Sequence, residues 1–70
     1  MNKGINANEL KAEVARKGMT LGELAEAIGL SWSGFWKKTT GQNSFTLEEV
    51  RAIRDVLDLE DKAMKNIFLI

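Results

Sequence analysis

The side chains with the most chemistry to offer lie in GLSWSGFWKKTTGQNSF, residues 29–45. Trp32, Phe35 and Trp36 fall within five residues of one another, beside Lys37 and Lys38, and no acid occurs from residue 31 to residue 43. Such a cluster suits contact with nucleic acid. Lysine meets a phosphate or a guanine edge, serine and threonine donate or accept, and an aromatic face covers apolar parts of a base or sugar. At about 100° per residue, Phe35 faces inward as core, and Ser33 and Lys37 face out. Trp32 and Trp36 sit between these arcs and read as half-buried packing, as base contacts or as anchors of a protein interface.

Composition removes most alternatives. The chain has no Cys and no His, so disulfides, thiolate nucleophiles, the usual zinc ligands and the usual general base are missing. Glu48 with Glu49, Asp55 with Asp58, and Glu60 with Asp61 read as helix-start and solvent-face charges. Neither a calcium-loop pattern nor a glycine-rich phosphate cradle occurs in the sequence. The chain is read as no enzyme, with no metal, cofactor or small-molecule ligand expected.

Ten basic and ten acidic residues cancel, which argues against a strongly basic binder. The charge is nonetheless segregated. Residues 19–30 hold only Glu23 and Glu26, whereas 31–43 hold only Lys37 and Lys38. Seventy residues allow one domain, 1–70, whose core supplies about 3–5 kcal/mol. MNKGINANEL lacks the apolar stretch of a signal peptide, and the longest apolar run, IFLI, is too short to cross a bilayer. A cytoplasmic protein without membrane contact is expected.

The elements that must position the cluster follow from caps and periodicity. Ile5, Leu10 and Val14 predict a first helix over about 7–17, with Asn6 or Asn8 as cap and Gly18 just past its end. Thr20 and Glu23 form a capping box for a second helix, in which Leu21, Leu24, Ala25 and Ile28 make one stripe before Gly29. Ser31 caps a third helix, SWSGFWKKT. Gly41 and Asn43 supply turn chemistry. Thr46 and Glu49 open a fourth helix with Leu47, Val50, Ile53 and Leu57 inward. After a break at 57–61, Ala63, Met64, Ile67 and Phe68 mark a fifth.

Thr20 to Gly41, TLGELAEAIGLSWSGFWKKTTG, resembles the helix-turn-helix of the phage repressor family, the Cro- and Xre-like regulators. Ala25 matches its small residue in mid-helix 2, Gly29 its turn glycine, and Phe35 the apolar residue that locks helix 3 onto helix 2. Leu24, Ile28 and Leu30 fill its other apolar positions. One helix before the motif and two after, with SFTLEEVRAIRDVLDL, extend the likeness to the whole chain. Three residues depart from the pattern. Lys38 and Thr39 stand near the end of helix 3, where the family usually has an apolar residue, and Thr40 stands where Asn is frequent.

The resemblance implies an all-α, lambda-repressor-like domain of five helices, with helices 2 and 3 as the helix-turn-helix. It implies a duplex-DNA-binding transcriptional regulator of repressor type, which places residues 32–39 in the major groove and works as a homodimer. The DNA-contact candidates are Thr20, Leu21, Ser31, Trp32, Ser33, Trp36, Lys37, Thr40 and Gln42. Phe68, Leu69 and Ile70 are candidates for a dimer contact, because an apolar chain end suits a two-fold patch. The alternative is a protein-interaction module on the same fold, such as an anti-repressor, anchored by Trp32 and Trp36.

Overall fold

Four side-chain oxygens start four of the helices. The computed structural model describes residues 5–68, so Leu69 and Ile70 lie outside the described residues. Asn6 caps α1 (Ala7–Arg16), Thr20 caps α2 (Leu21–Ala27), Ser31 caps α3 (Trp32–Thr39) and Thr46 caps α4 (Leu47–Leu57), each accepting from the amide three residues on. α5 (Asp61–Phe68) completes an all-α chain, with no strand among the described residues. Glu23 and Glu49 return the bond to the amides of Thr20 and Thr46, at 2.8 and 2.9 Å, which completes both capping boxes. A cap of this kind stabilises by about 0.5–2 kcal/mol, a large share for so small a core.

The helix ends are equally regular. After α2, Gly29 adopts φ 80 and its amide bonds Glu26 O, while Leu30 N reaches back to Ala25 O at 2.9 Å. This double closure occupies carbonyls that a helix end otherwise leaves without a partner. The same pair of bonds ends α1 at Gly18 and Met19, and α3 at Gly41 and Gln42. α4 closes in the same way, but on Asp58, at φ 51. Asp58 is the one non-glycine residue with positive φ among those described, a conformation that aspartate tolerates better than most residues. Asn43 does not adopt it.

Ile5, Leu10, Val14, Leu24, Ala25, Phe35, Ile53, Leu57 and Ile67 form the core, drawn from all five helices and the residue run before α1. α2 packs against α1, α3 and α4, and α1 packs against α5. The amide of Asn6 bonds Ile67 O at 2.7 Å, tying the start of α1 to α5. Leu47 corrects the sequence reading, because it is 64% exposed. Six residues before Ile53, it lies about 120° round the helix from the buried stripe, which runs instead through Val50, Ile53 and Leu57.

Candidate nucleic-acid interface

Phe35 fixes α3. Its ring is fully buried, and it meets the ring of Phe45 edge-on, with centroids 6.0 Å apart. With Phe35 inward, helical geometry turns Trp32, Ser33, Trp36, Lys37 and Thr40 into an arc of about 140° on the other side. All five are exposed. Trp32 and Trp36 retain 52% and 44% of their surface, stacked on each other at 5.8 Å with planes 27° apart. Trp32 also leans on Phe35 at 6.0 Å. The rings are thus held from beneath by the core while their outer parts face solvent.

Lys38 and Thr39, which depart from the pattern near the end of α3, turn out to be used internally. Thr39 is buried, and its hydroxyl donates to Trp36 O at 2.8 Å, so the polar atom is satisfied. Lys38 turns away from the exposed arc and donates its ammonium to Glu49 Oε1 at 2.5 Å; Phe45 lies 5.9 Å from the same nitrogen. Burial pushes the Glu49 carboxyl up. The bonds from Lys38 and Thr46, together with the Lys38 charge, outweigh that and hold it below its ordinary value. Among the described residues this is the sole side-chain ion pair that joins two helices.

The remaining candidates divide by what the local fold already asks of them. Ser31 Oγ accepts from Gly34 N, and the Thr20 amide is occupied by Glu23, which also places a carboxylate at the start of α2. Thr40 is exposed, and its hydroxyl donates to Lys37 O at 3.2 Å, leaving lone pairs to accept another bond. Gln42 is exposed in the following turn, and its backbone N–H donates to Lys37 O. Leu21 is half-buried at the edge of the core. Phe68, one of the dimer candidates, lies edge-on to Phe45 at 6.1 Å and packs against the core. Much of its ring is therefore already covered.

Sequence reasoning missed Lys11. It lies on α1, outside the motif, yet it lines a small apolar notch together with Leu21, Trp36 and Thr40. Its side chain thus borders the tryptophan face. Neither Lys11 nor Lys37 joins an ion pair among the described residues. No local signal marks Lys11, because its position depends on how α1 packs beside the end of α3. Comparison with family models, with curated proteins and with solved structures finds no match for this chain.

Proposed function

We propose that the chain is a sequence-specific duplex-DNA-binding regulator of phage-repressor type, with α2 and α3 as its helix-turn-helix and α3 as the helix entering the major groove. The observation that carries this reading is the exposed arc of α3, with Lys37 in it and Lys11 beside it, on a helix anchored from behind by Phe35. A helix about 10–12 Å across with its side chains matches a groove about 12 Å wide. Lys37 and Lys11, in no ion pair among the described residues, would make a modest phosphate grip, so the regulator works as a homodimer on half-sites about one helical turn apart.

Gel retardation tests the proposal, using DNA that flanks the coding gene against an unrelated duplex. With two cations meeting phosphate, log K should fall against log salt with a slope of about −2 per monomer. Both tryptophans of the chain sit on α3, so their emission should change as the complex forms. No retardation and no change in emission with any duplex would refute the reading.

A second reading, a protein-docking module, is favoured by the exposed ring pair and by the zero net charge. It differs in its dependence on charge. A protein partner anchored by the indoles should be lost in Trp36→Ala and kept in Lys37→Ala, whereas DNA binding should suffer in both.

A further inference from the structure

On the DNA reading, on which this proposal rests, a stacked indole pair limits the kind of base that α3 can read. The exposed arc of α3 carries little hydrogen-bonding equipment. Lys38 is committed to Glu49, Ser31 to the helix cap, and the Thr39 hydroxyl to Trp36 O. Among the described residues, what stays free on the arc is Ser33, Lys37, the Thr40 lone pairs and the indole N–H groups, with the exposed Gln42 in the turn beyond, around two rings that are each about half exposed (52% and 44%). Apolar surface therefore dominates the centre of the arc.

The floor of the major groove offers one apolar group, the C5 methyl of thymine; the other base edges present donors and acceptors. A ring set against donors and acceptors would strip their water without replacing the bonds. A ring set against a methyl loses nothing. Spacing adds a second constraint. The ring centroids lie 5.8 Å apart, and base pairs rise about 3.4 Å each. A pair laid along the groove covers methyls on adjacent or next-adjacent base pairs.

We propose that Trp32 and Trp36 read thymine methyls on neighbouring base pairs of the bound duplex, with Lys37 supplying the polar contact beside them. The site is thus a thymine-bearing half-site, and its recognition rests mainly on apolar contact. Lys37, exposed on α3 and in no ion pair among the described residues, gives the arc the sign that a duplex requires.

The test begins with selection by the full chain from a pool of random duplexes. Thymine is then replaced by uracil at each enriched position, which removes the methyl and keeps every Watson–Crick and groove hydrogen-bonding group. Each half-site should carry thymines on neighbouring or next-neighbouring base pairs, and each lost methyl should weaken binding about fourfold. With Trp32→Ala or Trp36→Ala the thymine–uracil difference should vanish at one of those positions. Uracil tolerated throughout, or a difference that survives in both variants, would overturn the inference and leave duplex binding intact. Selection that enriches no duplex would instead sink the DNA reading, and this inference with it. The uracil comparison uses the unaltered chain, so it does not depend on how a variant folds.

Discussion

Replacing Lys38 by Met removes one charge from α3 and keeps an unbranched apolar stem of similar length. The charge it loses holds the end of α3 to the start of α4, through Glu49 Oε1 at 2.5 Å, with side chains 15% and 16% exposed. Fully exposed ion pairs contribute about 0.2–1 kcal/mol, and breaking a buried one costs about 3–5 kcal/mol. At this depth, with Glu49 still bonded to the Thr46 amide, the pair should contribute about 1–2 kcal/mol. In a domain of this size that corresponds to roughly 5–15 °C in Tm. Glu49→Gln keeps an acceptor for the Thr46 amide and completes a double-mutant cycle, which isolates the pair from the cap. The pH dependence has a definite sign. Because the folded carboxyl lies below its ordinary value, its contribution is present in full above the ordinary carboxylate pKa and fades as the pH falls through the folded one. Urea melts of the four proteins at about pH 7 and about pH 3 would measure both effects. A coupling within about 0.3 kcal/mol of zero, or a Lys38→Met deficit equal at the two pH values, would refute the tether.

Phe35→Ala empties a fully buried aromatic site and should cost about 3–5 kcal/mol; a thermal melt that barely moves would mean that α3 is not held through this ring. Gly29→Ala should cost about 1–2 kcal/mol, all of it backbone strain at φ 80, since nothing lies within 4 Å of the added Cβ. Gly29→Asn should cost visibly less, and equal melts for the two variants would show that the strain argument is wrong. Lys37→Ala, measured on a duplex that the wild type binds, should flatten the salt slope by about one if it meets phosphate, or relax one base-pair preference by about 1–3 kcal/mol if it meets guanine. Binding unchanged on every duplex would remove Lys37 from the interface.

What the sequence made legible was whatever is written within a turn or two of helix. Thr20 with Glu23 and Thr46 with Glu49 act over three residues, and both boxes form. Gly18, Gly29 and Gly41 mark helix ends because they adopt positive φ there. Phe35 is placed inward by periodicity, and it is buried. The errors are also physical. Leu47 is apolar and sits at the first position of α4, so composition drew it into the stripe although its angle does not. Asp58 takes a role that glycine usually signals, and an aspartate there looks like any other surface acid.

The larger gap concerns which charges the fold leaves free, and this bears directly on function. In the sequence Lys37 and Lys38 are neighbours of equal standing, and Lys11 belongs to a different helix. Folding reverses that grouping. The turn after α3 brings Glu49 to Lys38 across 11 residues, which withdraws Lys38 from the exposed face. The packing of α1 sets Lys11 beside Trp36 and Thr40, which adds a cation that no motif contains. Among the described residues, Lys37 stays on the exposed arc and Lys11 reaches its border from another helix. Counting basic residues in 31–43 yields the same number from a different pair. In the complex proposed above, the apolar centre of the arc would meet thymine methyls while Lys37 meets a phosphate or a base edge.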